Sequence, residues 1–363
     1  MNHCRLERAL ESAAAVMLLG LMLLFPQQVV QGAQEGLRCC AEQLIPALLP
    51  FLIICQMVVD CPAAGALGRG FLPYLRLLGI SAPSAGAALL MGLLGGFAPA
   101  GRCVARLRQH NQIDDRQAQA LVVACAGSGP GFVVNSVGML MLGSPAVGWA
   151  LVISQTTASL FCGFAAARFL RLPIRCNSSC LAATEDGKEK SGLSLIILQS
   201  AQAMLAICGT VVLFRCLYQT VAPVFRLDDR IAALGAMLLE VTSGCLEASR
   251  LPGNGAIYGC CAALSMLSGS VFLQLRTLLP ENVSLKPLLF TRLLHVPVSL
   301  GMLHLALRLM PDLTAQVVLP VGPVLLLSTR ARPDAALALF ALCCLVAYRL
   351  QKEGTRRCSG GTE

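Results

Sequence analysis

Between Arg116 and Arg168 the chain carries no charged residue, and in the middle of that stretch stands Gly-Ser-Gly-Pro-Gly at 127–131. The stretch is long enough for two membrane crossings at about 20 residues each. The Gly-Pro run cannot continue an α-helix. Gly127, Gly129 and Gly131 favour an unwound backbone, and Pro130 removes a donor and obstructs the preceding turn. Hydrocarbon tolerates no unpaired backbone, so a break at this depth must be buried in protein or line a wet cavity. Pro130 is also a good first residue for a new helix. The sequence therefore predicts a helix that ends near Ala126 and restarts at Pro130, with Asn135 and Ser136 about one turn into the second half. A restarting N-terminus offers free N–H groups and partial positive charge, which suit an anion. Two readings stand, because Gly and Pro also serve close packing and kinks in membrane helices.

Composition places the whole chain in a bilayer. Of 363 residues 56% are hydrophobic and 13% charged, where a soluble domain has about a quarter charged. Mean hydropathy is +0.71. The net charge of +9 sits largely in loops and ends, a positive-inside pattern and not a nucleic-acid-binding one. Most of the 18 cysteines, Cys55, Cys162, Cys208 and Cys245 among them, lie in apolar runs, where they act as small hydrophobes. Cys176 and Cys180 share a polar loop, but no histidine or further cysteine flanks them at ligand spacing. No metal site is expected, and the thiols read as reduced.

In chain order, Arg5 and Arg8 precede an apolar run at 13–25 closed by Pro26. It resembles a signal peptide, and the membrane segments that follow favour an uncleaved first helix extended to Val30, with its N-terminus cytoplasmic. Residues 34–43 read as interfacial, 44–59 as a short or kinked insertion with Pro46 and Pro50, and 63–78 as a helix lying at the membrane surface. The 82–98 segment carries Gly92 and Gly96 at close-packing spacing, and Pro99-Ala100-Gly101 is expected to break it. Asp114 and Asp115 are placed to cap the next helix. An uninterrupted span at 146–167 holds Gln155, and the polar loop 168–192 reads as cytoplasmic by its basic excess. Further spans are expected at 193–213, 288–307 and 335–346, with an apolar segment at 313–327.

The second half interrupts its apolar segments twice more, at Glu240-Val-Thr-Ser-Gly and at Ser268-Gly-Ser270. Interrupted segments in matching places of two halves point to a transporter site. A carboxylate in a membrane helix costs roughly 2.5–3.5 kcal/mol at the helix centre and normally faces a cavity or a partner. Glu240, with Thr242 and Ser243, is thus a candidate coupling site for a proton or sodium ion. The alternative is a packing ion pair between Glu240 and Arg215, Arg292 or another arginine. The candidate substrate site comprises Gly127, Ser128, Gly129, Pro130, Gly131, Asn135, Ser268 and Ser270. No Walker loop, His-Glu-x-x-His or dinucleotide fingerprint occurs. The histidines, His295 and His304 included, are scattered, and Ser128 has no acid–histidine partner in view. No catalytic residue, enzyme activity or cofactor is expected.

Four motifs in order carry a family resemblance: Leu-Ile-Pro-Ala-Leu-Leu-Pro-Phe at 44–51, Met-Gly-Leu-Leu-Gly-Gly-Phe-Ala-Pro-Ala-Gly at 91–101, Ala-Gly-Ser-Gly-Pro-Gly-Phe at 126–132 with Val137-Gly138, and Leu-Glu-Val-Thr-Ser-Gly at 239–244. Together, over roughly 44–309, they resemble YlbJ-like sporulation integral membrane proteins, which contain the gate or nucleoside-recognition domain. The chain departs from that pattern at Phe97-Ala98-Pro99 and Arg102, where a Gly-Tyr-Pro-like turn and a lysine are common, and at 125–128, where asparagines often stand.

The resemblance implies an all-α polytopic membrane protein of two broken-helix, inverted repeats with re-entrant segments, distantly similar to concentrative nucleoside transporters. The expected organisation is a first membrane helix and interfacial linker at 1–43, a gate-like repeat at 44–170, a cytoplasmic loop at 171–192, a second repeat at 193–310, and membrane segments with a basic tail at 311–363. It implies a transporter or permease for a small carboxylate, dipicolinate moved toward the forespore, in the mother-cell-derived membrane around the forespore. The alternative is a non-transporting structural or assembly protein of the spore envelope. The expected partners are a small anionic substrate, the coupling ion and the lipid bilayer, with no nucleic acid.

Overall fold

A computed structural model describes residues 16, 19–20, 22–60, 68–173, 192–225 and 229–310. Every regular element among them is helical. The basic start Arg5 and Arg8, the Cys176–Cys180 loop, and the segments expected at 313–327 and 335–346 lie outside the described residues.

Pro26 closes the first apolar run as expected, with Phe25 non-helical just before it, and the helix does not extend unbroken to Val30. Pro26 also opens helix α1, Pro26–Cys39, where its missing donor costs nothing because a first turn has no intrahelical acceptor for it. The 34–43 region, expected to be interfacial, is helical throughout. It lies along α1 and a π-turn, Cys40–Leu44, that leads into α2, Ile45–Asp60. The wide turn lies just ahead of Pro46, whose ring would otherwise crowd the carbonyl four residues back. Pro50 is carried inside α2.

The α1 helix packs along α8, Leu193–Phe225. Gly32 and Gly36 make the approach possible: a Cβ on Gly32 would lie 2.7 Å from Cys216 Cα, and one on Gly36 2.9 Å from Val212 Cα. Glu35 then reaches Arg215 at 2.8 Å and accepts from Gln219 at 2.7 Å. A short α3, Leu72–Leu77, turns Leu75 and Leu78 fully into the protein core. Its opposite side leaves Leu77 exposed, so one face packs on the protein.

Two hairpins follow the same plan. In the first, α4 (Ala85–Gly95) meets α5 (Phe97–Gln109) at a one-residue break. In the second, α9 (Asp229–Leu239) meets α10 (Val241–Ser249), again through one residue. Each hairpin is followed by an interrupted segment. The first is α6, Asp115–Cys125, and the π-helix Gly131–Met141; the second is α11, Gly255–Met266, and α12, Gly269–Leu278. Asp114 N-caps α6 as expected, in a full capping box with Gln117. Helices α7, Pro145–Phe169, and α13, Lys286–Leu309, pack against each other and against these segments.

Among the described residues, four stretches are long and apolar enough to cross a bilayer: Pro145–Phe169, Leu193–Val221, Gly255–Leu278 and Lys286–Leu309. At 24–29 residues each they reach about 36–44 Å, against a hydrocarbon thickness of about 30 Å. The chain is a membrane protein whose described residues form only helices as regular elements.

Close packing of α1 on α8 sets one expectation. Gly32→Val forces a side chain into the Cys216 backbone and should cost about 1–3 kcal/mol, read as a lower melting temperature in detergent. Gly209→Val, on α8 with nothing within 4 Å of its Cβ, should not. Equal melting of the two variants would contradict the close approach.

Candidate functional site

The four helix breaks differ in chemistry but share a purpose. Between α4 and α5, Gly96 takes φ +85°, a left-handed backbone that a side chain would resist. The break was expected at Pro99-Ala100-Gly101; it falls three residues earlier, and Pro99 sits harmlessly in the first turn of α5. Between α6 and the π-helix the chain is non-helical from Ala126 to Gly129, and Pro130 opens the restart. Between α9 and α10 the single residue Glu240 is extended. Between α11 and α12, Leu267 is left-handed at φ +57° and Ser268 extended. A leucine in that conformation costs of order 1 kcal/mol, tolerated only where its surroundings hold it.

Each hairpin tip touches the break that follows it. A Cβ on Gly96 would meet the Gly129 nitrogen at 2.7 Å, and one on Gly129 would meet the Gly95 carbonyl carbon at 3.0 Å. In the second half a Cβ on Gly269 would lie 3.5 Å from the Leu238 carbonyl oxygen.

One narrow cavity, about 50 Å³, is lined by residues at or just after all four breaks. The start of α5 contributes Gly96, Phe97, Ala98 and Pro99, and the π-helix side contributes Ser128, Gly129 and Phe132. The start of α10 gives Glu240, Val241 and Thr242, and that of α12 gives Ser270, Val271 and Gln274. Leu44, Leu48 and Leu52 close one wall, with Ile207 and Val211 of α8. The result is an apolar chamber with a few polar groups at helix starts, the composition of a small-molecule site.

Glu240 is 1% exposed and caps α10 with both oxygens. One accepts from the Thr242 amide at 2.8 Å and the other from the Ser243 amide at 2.6 Å. Neither expected arginine pairs with it. Arg215 goes to Glu35 and, at 4.0 Å, to Glu247. Arg292 goes to the carbonyls of Ala126 at 3.2 Å and Ser265 at 3.4 Å. The packing ion pair is thus replaced by a helix cap.

The remaining candidates divide. Ser128, Gly129, Thr242 and Ser270 line the cavity. Gly127, Pro130 and Gly131 shape the break without lining it, and the Ser243 side chain is buried behind the cap. Ser268 is 1% exposed and shares a 3.0 Å contact with the Ser270 hydroxyl, so it supports the lining residue. Asn135 is not part of the cavity; it stands on an exposed face of the π-helix. A π-helix turns less per residue than an α-helix, so a side chain counted at 3.6 residues per turn ends on another face.

Gln274 was not among the candidates. It donates to Thr210 Oγ1 at 2.6 Å, while its Oε1 has no partner among the described residues. Beneath the breaks lies a second polar group that sequence reasoning left unconnected. Gln155 of α7 donates to the Cys261 carbonyl at 3.1 Å and to the Ser265 and Ser299 hydroxyls at 2.7 and 3.1 Å. His295 meets Ser159 Oγ at 3.0 Å, and Arg292 lies one helical turn before it on α13. Polar side chains in apolar spans were the available signal. His304, by contrast, pairs with Tyr258 at 2.8 Å, away from this group. Among the described residues no cluster of His, Cys, Asp or Glu could hold a metal ion.

Fold and cavity thus define a helical membrane protein with a chamber built at interrupted helices. In sequence the chain is similar to the sporulation integral membrane protein YlbJ of Bacillus subtilis strain 168, with 24% identity over 269 residues. The match spans 69% of this chain and 64% of that protein, so the chain covers less than two thirds of the relative's length. It supports the YlbJ-like assignment read from the motifs. No family model matches the chain, and no solved structure matches it.

The geometry sets a direct expectation for accessibility. A thiol introduced by Ser128→Cys should react with a small water-soluble methanethiosulfonate reagent, and one introduced by Ser268→Cys should react at least about tenfold more slowly. Equal rates would contradict the assignment of Ser128 to the cavity and Ser268 to its support.

Proposed function

We propose that this protein is a transporter or permease for a small carboxylate in a sporulating cell. The observation that carries the reading is the convergence of four helix starts on one chamber: α5, the π-helix, α10 and α12. Each helix start carries roughly half a unit of positive charge. Glu240 answers about two of them, and the remainder favours an anion held by amides and the hydroxyls of Ser128, Thr242 and Ser270. Leucine and phenylalanine walls match the chemistry of a flat apolar body between its acid groups, and the narrow space of about 50 Å³ must widen to admit one. Dipicolinate, the aromatic dicarboxylate implied by the family resemblance, has that form. The similarity to the sporulation integral membrane protein of Bacillus subtilis supports the sporulation context.

Two further features belong to this proposal. The chain is organised as two repeats, supported by the matching order of hairpin and interrupted segment and by the matching tip-to-break contacts at Gly129 and Gly269. Glu240 couples a proton or a sodium ion to the anion. Its oxygens already take two amides, yet each retains acceptor capacity toward the chamber, and a cation there offsets the substrate's charge.

Purified protein in proteoliposomes should take up labelled pyridine-2,6-dicarboxylate saturably, driven by a proton or sodium gradient. Uptake no greater than in protein-free vesicles would overturn transport of this acid. Glu240→Gln keeps one acceptor for the cap, should cost about 1 kcal/mol of stability, and should retain exchange while losing uphill accumulation. Accumulation at the wild-type level, with the same gradient dependence, would remove the coupling role. Asn135→Leu, outside the chamber, should leave uptake unchanged.

A further inference from the structure

At every break one helix ends where another begins, so the negative end of the first tends to cancel the positive end of the second. A chamber ringed by breaks would then carry little net potential. Arg292 alters this balance at two of the four. Its guanidinium donates to the carbonyl of Ala126, the C-cap of α6, and to that of Ser265, in the last turn of α11. These are the helices that end at the 126–130 and 267–268 breaks. Arg292 is 5% exposed and makes no ion pair among the described residues, so its charge is spent on these two helix ends. Gln155 and His295 pack the same region from α7 and α13, with Gln155 holding Ser265 from the hydroxyl side.

We infer that Arg292 is the positioning residue that sets the charge selectivity of the chamber. By neutralising the C-terminal ends of α6 and α11 it leaves the N-terminal ends of the π-helix and α12 uncompensated toward Ser128 and Ser270. It also ties the two breaks to one side chain, so both keep one spacing. The inference deepens the proposed transport of an anion by naming the residue behind that preference, and it can be tested without a substrate.

The test uses full-length protein carrying Ser128→Cys, whose thiol reports the potential at the chamber. Its rates with anionic sulfonatoethyl and cationic trimethylammonioethyl methanethiosulfonate are compared as a ratio. Ala126 and Ser128 are two residues apart, so the guanidinium lies within about 10 Å of the reporter. A unit charge at that range changes the ratio by about tenfold or more at an effective dielectric of about 20. Arg292→Gln should lower the anion-to-cation ratio by that factor, and Arg292→Lys should largely keep it. Gln155→Glu, which leaves Arg292 in place and sets a carboxylate beside Ser265, should lower it too and serves if Arg292→Gln fails to fold. Equal loss of both rates with an unchanged ratio would show a merely structural role and overturn the inference, as would a ratio unchanged in Gln155→Glu. Failure of dicarboxylate uptake with the ratio shifting as expected would instead count against the transport reading alone.

Discussion

Interrupting a helix inside a bilayer strands backbone donors and acceptors where no water can answer them. The whole arrangement follows from how this chain meets that constraint four times. At the α9–α10 tip the donors are answered by a side chain, Glu240, whose two oxygens take the Thr242 and Ser243 amides. At the 126–130 and 267–268 breaks the acceptors are answered by Arg292. At Gly96 and Gly129 the absence of side chains lets two backbone segments cross in contact. The Glu240 cap is local, whereas Arg292 and the Gly96–Gly129 crossing draw together breaks far apart in the chain, and the chamber is what remains between them.

Its chemistry then follows from charge. Helix starts face the chamber and two of the helix ends face away, toward a buried cation. The walls supplied by the π-turn, α2 and α8 are apolar, so the chamber's polar groups lie on the segments that start at the breaks. Meanwhile α1 and α8 hold together through glycines and through the Glu35–Arg215 pair. That pair also lies near Glu247 on α10, which places the second hairpin against the outer helices.

Much of this was legible in residues. Gly-Ser-Gly-Pro-Gly demanded a break, and the break is there with Pro130 as the restart. Ser268-Gly-Ser likewise stands at an interruption, and Asp114 caps its helix. Other features lay beyond local rules. Proline reads as a breaker, and Pro26 does follow a break, yet Pro99 sits in a first turn, where no hydrogen bond is lost. Glu240 is not a residue type that capping preferences single out, so its role as a cap needed the fold. Asn135 was misplaced because the restarting segment is a π-helix, whose slower turn no periodicity count anticipated. Arg292 was visible as a charge in an apolar span, but its partners are backbone carbonyls 27 and 166 residues away in sequence. No spacing rule reaches that far.

The central claim is that four helix starts form one anion-binding chamber, and the most direct measurement is an experimental structure of the purified protein with pyridine-2,6-dicarboxylate. Ligand density should lie between the Gly96 and Glu240 tips, within hydrogen-bond reach of Ser128, Thr242 or Ser270. Density at another surface, or four breaks that do not meet, would contradict it.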